Sequence, residues 1–195
     1  PSTSSAASDV YKRQLLIEAE GLELSETELL HQCIFMLNAG HETSTNMLSH
    51  GLNELINHKD QYKLLQKEPE RIDTAIDEIL RFQPPIQINN RRCLEKTKLG
   101  DVVVPEGTSV HMIIAGANRD PLQFFKPETF DISRSPNRHL SFGLGIHICA
   151  GINLARVEAK VAFQSLMSSF REINLLKKPT AVSYTHLRAH ETRTY

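Results

Sequence analysis

The ten residues Phe142–Gly151, FGLGIHICAG, decide the fold of this chain. Glycines at positions 143 and 145 let the backbone curl tightly and approach a bulky ligand closely. The apolar periodicity after the loop predicts a helix, which places Cys149 at a helix start. Backbone N–H groups and the positive end of a helix dipole favour a thiolate at such a position. The loop therefore predicts a thiolate that serves as a metal ligand or as a nucleophile.

Other interpretations of this loop remain open from the residues alone. Cys149 could be a small buried hydrophobic residue, as we expect Cys33 to be inside its own helix. Zinc bound by His139, His147 and Cys149 lacks the paired Cys-x-x-Cys spacing that is typical of zinc sites. A Cys–His nucleophile pair lacks an identifiable oxyanion or orienting residue.

Composition limits the class of protein. The chain has 195 residues, with 22 Lys and Arg against 23 Asp and Glu, so we expect one domain and neither a nucleic-acid partner nor a polybasic membrane anchor. A hydrophobic fraction of 40% argues against disorder. No apolar run approaches the ~20 residues of a membrane span. The cysteines at 33, 93 and 149 are too few for a disulfide framework, and no secretory signal is evident, so we expect a cytoplasmic protein.

The two ends carry an unusual relation at the DNA level. One DNA string encodes Asp9–Gln14, and its reverse complement encodes Val182–His186 and begins the codon of Leu187. Both ends resemble a translated transposon adapter. We therefore predict that residues 1–14 and 182–195 are non-native adapter-like segments, and that residues 15–181 are part of a longer protein.

A long helix is predicted from residue 26 onward. Ser25 and Glu28 form a capping box, and apolar residues follow at helical spacing. These apolar positions are Leu30, Ile34, Leu37, Leu48, Leu52 and Leu55. The segment 39–45 interrupts them with Gly, Ser and Thr, whose hydroxyls can compete for carbonyls of the preceding turn. Such a local inconsistency is typical of a functional segment.

The remaining pattern predicts a mainly α fold with a small antiparallel β-sheet, an α+β arrangement. Helices are expected at 61–66 and 71–82, the second ended by Pro84 and Pro85. Turn residues flank the β-branched runs 102–104 and 110–114, which predict the strands of one small sheet. A long irregular loop is expected at 118–141, because periodicity is low there.

Four segments resemble the cytochrome P450 family. Phe142–Gly151 matches the family's haem-binding signature FGxGxHxCxG at every fixed position. AGHETS at 39–44 resembles its oxygen-activation segment, and Glu78-Ile79-Leu80-Arg81 resembles its Glu-x-x-Arg motif. ANRDP at 117–121 and PETF at 127–130 resemble the stretch that leads to the haem loop. The resemblance covers 15–181 and implies the C-terminal part of the fold of a soluble bacterial-type member.

The resemblance implies a haem b cofactor with Cys149 as its axial iron ligand. His147 would bind one haem propionate and Arg91 the other, with the adjacent Arg92 as the alternative. The other residues that the resemblance places around the haem are Phe142, Gly143, Gly151 and Gly40. Leu144 would be a contact for an electron-transfer partner.

The resemblance also implies catalytic, structural and substrate-contacting residues. Thr43 and Glu42 would form a proton relay, and Glu78 with Arg81 a structural lock. The family's third lock residue is an arginine at the position of Thr129, so Arg134 or His139 would replace it. Substrate would contact Ala39, Pro85, Ile86 and Gln87.

The implied activity is that of a haem-thiolate monooxygenase. It inserts one atom of O2 into a small organic substrate, with electrons from NAD(P)H through a ferredoxin or flavodoxin-type donor and its reductase. The alternatives are a peroxide-driven peroxygenase, which would not need the Glu42–Thr43 relay, and a non-catalytic haem-binding or sensor protein. The fragment itself could be inactive, because most of the substrate pocket would lie outside it.

Overall fold

The computed structural model describes residues 24–177, in which helices predominate and the strands are short. The predicted α+β class is confirmed. The α-helices are α1 Glu26–Asn57, α2 Lys59–Lys67, α3 Ile72–Phe82, α4 Ile114–Ala117 and α5 Ile152–Ser169. The strands are β1 Ile88–Arg92, β2 Thr97–Leu99, β3 Val102–Val104 and β4 Ser109–Ile113. The predicted adapter-like segments lie outside the described residues.

Helix α1 begins at the predicted capping box. The Ser25 hydroxyl accepts from the backbone N–H of Glu28, and the Glu28 carboxylate accepts from the backbone N–H of Ser25 at 2.8 Å. In the polar segment, Thr43 Oγ1 donates to the carbonyl of Ala39 at 2.6 Å. Thr45 Oγ1 donates in the same way to the carbonyl of His41 at 2.9 Å. The expected competition for backbone carbonyls is therefore present, and the helix nevertheless continues through it.

The hydrophobic core lies between the second half of α1, helices α2, α3 and α5, and the long loop. Its buried side chains are Met47, Leu55, Tyr62, Leu65, Ile72, Ala75, Ile76, Ile79, Leu80, Phe82, Phe130, Ile132, Ala159 and Phe163. Gly51 lies where α1 meets α3 and α5. A Cβ there would stand 2.6 Å from Phe163 and 2.9 Å from Ile79, so the close approach of these helices requires glycine.

The apolar pattern of α1 predicts the helix correctly but not the extent of its burial. Leu55 is buried, and Leu48 and Leu52 pack against the core. In the first half of the helix Leu29 is buried, but four other apolar side chains are more than half exposed, namely Leu30, Ile34, Phe35 and Leu37. Residues of α1 join the core cluster only from Met47 onward, so these four side chains lie outside it.

The predicted single sheet is wrong in its organisation. Strand β1 pairs antiparallel with β4, with Ile88 opposite Ile113 and Arg92 opposite Ser109. Strand β2 pairs antiparallel with β3 as a separate two-stranded ribbon. The two β-branched runs therefore have different partners, since β3 pairs with β2 and β4 pairs with β1. Ile114, which we predicted to end the second run, begins α4.

The segment 118–141 is irregular, as predicted, and is anchored by buried side chains. Phe124, Phe130 and Ile132 are buried within it. Across residues 24–177, no helix is both long enough and apolar enough to cross a membrane.

Candidate functional site

The loop that carries Cys149 is closed by its own backbone. Gly143 and Gly145 have φ of 73° and 75°, the left-handed region that favours glycine. The N–H of Cys149 donates to the carbonyl of Phe142 at 2.8 Å, which joins the two ends of the loop. Helix α5 begins at residue 152 with Gly151 as its N-cap, so Cys149 lies just before the first turn. The predicted tight loop at a helix start is therefore present.

The surroundings of the Cys149 thiol suit a large apolar ligand. The residue is half-buried and forms no disulfide. The loop tip next to it exposes Leu144 at 79% and Ile146 at 96%, and Ile148 is half exposed. A large apolar ring would remove this apolar surface from water, and haem iron at its centre accepts a cysteine thiolate as a ligand. The donor set and its apolar rim therefore fit haem.

The structure does not support the alternative zinc site at this loop. His139 Nε2 faces Asp77 Oδ1 at 3.4 Å, and His139 Nδ1 accepts from the N–H of Ser141. His147 lies exposed in the short 3₁₀ turn that precedes Cys149. Within the described part of the chain, no three His, Cys, Asp or Glu side chains are grouped closely enough to hold a metal ion. The zinc interpretation of these two histidines and Cys149 is therefore wrong.

A charged cluster supports the base of the loop. Asp77 Oδ1 contacts Arg156 at 2.6 Å as well as His139. Burial alone would raise the pKa of Asp77, but the hydrogen bond from His139 and the adjacent Arg156 guanidinium hold it below its ordinary value. The Phe142 ring lies 6.0 Å from the His139 ring and 5.6 Å from the Arg156 guanidinium. Asp77 and Arg156 were not among the predicted site residues, since nothing in the local pattern distinguishes them from surface charges.

Glu78 and Arg81 form a bidentate ion pair in the interior. Arg81 Nε and Nη2 each donate to the Glu78 carboxylate at 2.8 Å, and both side chains are 0% exposed. The remaining guanidinium hydrogens go to the backbone carbonyls of Asn118, Pro127 and Thr129. This burial excludes an ordinary surface pair.

The third partner of this pair is Arg134. Its Nε donates to Glu78 Oε2 at 3.1 Å, while its guanidinium also reaches the carbonyl of Thr129. Of the two candidates left open by the sequence, His139 is instead engaged by Asp77. Thr129 therefore contributes a carbonyl at the position where the family has an arginine side chain.

The predicted relay and substrate residues of α1 lie on an open surface. Ala39, Gly40 and Glu42 are exposed and Thr43 is half-buried. A Cβ at Gly40 would meet nothing within 4 Å. Glu42 lies on the same open face of α1 as Leu37, Asn38, His41, Thr45 and Asn46.

The other predicted contacts lie on or before strand β1. Arg91 is exposed and donates to the carbonyl of Asn90 at 2.9 Å. Because side chains alternate along a strand, Arg91 and Arg92 lie on opposite faces of the ribbon, so at most one of them faces a given ligand. Pro85 is half-buried, and residues 86 and 87 are exposed.

The structure brings some of the predicted residues together and leaves others apart. The Cys149 loop and the Glu78–Arg81 pair belong to one connected network of hydrogen bonds, which runs through Asn118. Among residues 24–177, no hydrogen bond joins Thr43, Arg91 or the segment 85–87 to that loop.

Comparisons with known proteins agree with this geometry. The sequence model of the family described as "Cytochrome P450" matches residues 3–180. The match begins inside the segment 1–14, so the boundary at residue 14 stays a prediction. The biotin biosynthesis cytochrome P450 of Bacillus subtilis (strain 168) is 40% identical over 161 residues, which cover 83% of this chain and 41% of that protein. The polyketide biosynthesis cytochrome P450 PksS of the same organism is 38% identical, with 90% of this chain and 44% of that protein covered.

Solved structures show the same similarity in three dimensions. The crystal structure of P450BioI in complex with hexadec-9Z-enoic acid ligated acyl carrier protein superposes with a TM-score of 0.78 at 35% identity, covering 87% of this chain and 48% of that one. The tirandamycin C-bound P450 monooxygenase TamI gives a TM-score of 0.80 at 36% identity, over 84% of this chain and 42% of that one. The chain thus spans about two fifths of the length of the curated relatives it matches.

Proposed function

This chain belongs to the cytochrome P450 family, and we propose that the protein of which it is a part is a haem-thiolate monooxygenase. The reaction inserts one oxygen atom from O2 into a small organic substrate. The observation that carries the proposal is the half-buried Cys149 thiol on a loop closed by the Cys149–Phe142 backbone hydrogen bond and rimmed by exposed apolar side chains.

The chain's own residues would hold haem b. Cys149 supplies the iron ligand, and its thiolate donates electron density that favours O–O cleavage when haem is bound. The imidazole of His147 and the guanidinium of Arg91 or Arg92 bind the two propionates. The other proposed contacts of the cofactor are the backbone at Gly143 and Gly151 and the Phe142 ring. The open space beside Gly40 would leave room for it.

Glu42 and Thr43 are the proposed proton relay. The Glu42 carboxylate is exposed on the surface of α1, where it can take up protons from solvent. Thr43 Oγ1 donates its own proton to the Ala39 carbonyl, which leaves its lone pairs free to accept a hydrogen bond from water. Proton delivery through this hydroxyl then requires it to rotate away from that carbonyl.

The substrate contacts proposed are Ala39, Pro85, Ile86 and Gln87, which are exposed or half-buried. Electrons come from NAD(P)H through a ferredoxin or flavodoxin-type protein and its reductase. Leu144, exposed on the ligand loop, is the proposed contact for that donor. We place the protein in the cytoplasm.

The test is the carbon monoxide difference spectrum of the reduced protein, recorded for the 195-residue chain and for a form extended to the length of its relatives. We expect a thiolate-type Soret band in at least the extended form, its loss in Cys149→Ser, and its retention in the control Cys33→Ser. The same band in both variants would overturn the ligand assignment. A thiolate-type band without O2-dependent product would favour a sensor, or a peroxygenase if peroxide restores product.

A further inference from the structure

Asn118 is a fully buried amide at the end of helix α4, and its side chain reaches the segment that enters the Cys149 loop. The side chain is 0% exposed. Its Oδ1 accepts from the backbone N–H of Leu140 at 2.8 Å, and its Nδ2 donates to Ser141 Oγ at 2.9 Å. Ser141 Oγ in turn donates to the carbonyl of Leu80 on helix α3 at 2.7 Å.

The residues held in this way are the ones on which the loop closes. The carbonyl of Leu140 accepts from the N–H of Gly143 at 2.9 Å. Phe142, which follows Ser141, accepts the N–H of Cys149 with its carbonyl. A shift of residues 140 and 141 would therefore move the acceptor that fixes the backbone of Cys149.

Asn118 also connects the loop to the buried ion pair. Its backbone carbonyl accepts from Arg81 Nη1 at 3.0 Å, and Arg81 is held in a bidentate pair by Glu78. The backbone and the side chain of this one residue thus hold the guanidinium on one side and the start of the ligand loop on the other.

We infer that Asn118 and Ser141 act as one clamp that positions the Cys149 loop. The position requires an acceptor for the Leu140 N–H and a donor for Ser141 Oγ, since that hydroxyl already gives its proton to Leu80. Among side chains of this size an amide supplies both. An apolar replacement removes the acceptor of the Leu140 N–H and the donor to Ser141 Oγ together, so both contacts that hold residues 140 and 141 are lost.

Asn118 is a positioning residue, because it acts on the thiolate through the backbone of the loop. This inference rests on the proposed haem site only for its second readout. The first readout is hydrogen exchange of the loop amides in the chain itself.

The experiment compares Asn118→Ala with the matched control Asn137→Ala. Asn137 is a partly buried amide whose Nδ2 contacts the ion pair, at 3.0 Å from Glu78 Oε2, but it makes no contact with residues 140–149 among the hydrogen bonds described. We expect Asn118→Ala to speed exchange at the N–H groups of Leu140, Gly143 and Cys149 about tenfold or more, with the amides of α3 unchanged. Asn137→Ala should leave the loop amides near the wild-type rate. Equal acceleration in both variants, or acceleration spread evenly over α3 and α5, would overturn the inference.

Two further variants test whether the pair acts as a unit, and they serve if Asn118→Ala fails to fold. Ser141→Ala alone should accelerate the exchange of the Cys149 N–H, and no acceleration would contradict the clamp. The double variant should exchange no faster than Asn118→Ala, since contacting residues that act together are not additive. If the acceleration of exchange in the double variant equalled the product of the two single accelerations, the two contacts would be independent, and the clamp would be overturned.

The second readout is the carbon monoxide difference spectrum in the extended protein. Asn118→Ala should lower the thiolate-type fraction of the bound haem relative to Asn137→Ala, and an equal fraction would contradict the positioning role. If the wild-type protein shows no thiolate-type band, the proposed function fails, and the exchange rates alone decide the clamp.

Discussion

The interior around Glu78 and Arg81 and the open first half of α1 contain similar residues in opposite surroundings. Glu78 is 0% exposed with three hydrogen-bonding side chains around it, whereas Glu42 lies exposed on the surface of α1. Leu55 is 0% exposed and Leu37 is 63% exposed on the same helix. The polar groups that support the ligand loop are thus buried and find their hydrogen-bond partners among residues 24–177. The surface that the proposed haem and substrate would face is exposed.

The buried region positions the Cys149 loop, whereas the exposed region carries the residues proposed for catalysis and for binding the propionates. The buried polar groups fix the backbone of the Cys149 loop through bonds that water does not compete for. The proposed relay and propionate contacts lie at surface positions, where substitutions have little effect on folding. Substitutions in the two regions should therefore change different observables.

The largest effect is expected for Glu78→Ala. The change leaves the guanidinium of Arg81 buried without its partner and removes a contact of Arg134, so we expect a loss of about 3–5 kcal/mol in the free energy of unfolding. The control Glu42→Ala should change it by less than about 0.5 kcal/mol. Urea unfolding followed by circular dichroism measures both. Equal losses would remove the distinction between the two regions.

A pair of glycines on α1 provides an intermediate test with opposite signs. A methyl at Gly51 would stand 2.6 Å from Phe163, so Gly51→Ala should cost about 1–3 kcal/mol through overpacking. Gly40 has nothing within 4 Å, so Gly40→Ala should stabilise the chain by up to about 1 kcal/mol through helix propensity. Thermal unfolding of the two variants checks the signs. A loss of stability in Gly40→Ala would show that its surface is covered in the folded chain.

The smallest effect on stability is expected for two threonines with the same local bond. Thr43 and Thr45 both donate to the carbonyl four residues earlier, so alanine at either position should change the free energy of unfolding by less than about 0.5 kcal/mol. In the extended protein with its redox partner, Thr43→Ala alone should lower product per NAD(P)H oxidised and raise peroxide release. The same ratio of product to NAD(P)H oxidised in Thr43→Ala and Thr45→Ala would contradict the relay.

Local rules accounted for much of the fold and of the candidate site. The capping box at Ser25 and the left-handed backbone at Gly143 and Gly145 follow from interactions within a few residues, so their geometry could be predicted from sequence. The choice between Arg134 and His139 could not, since both lie in an irregular segment far along the chain from Glu78. The role of Asn118 was also missed, because burial of a polar side chain leaves no periodic signal.

The sequence by itself determined the four longer helices α1, α2, α3 and α5, the tight cysteine loop and the family, because these depend on short-range spacing and on a motif of ten residues. Tertiary structure alone decided that the β-branched runs form two ribbons, that α1 joins the core cluster only from Met47 onward, and that Arg134 completes the ion pair. These outcomes depend on which segments, distant in sequence, pair with a strand edge, cover a helix face or reach the buried carboxylate of Glu78. That choice is resolved by packing between elements, which the local pattern of residues does not encode.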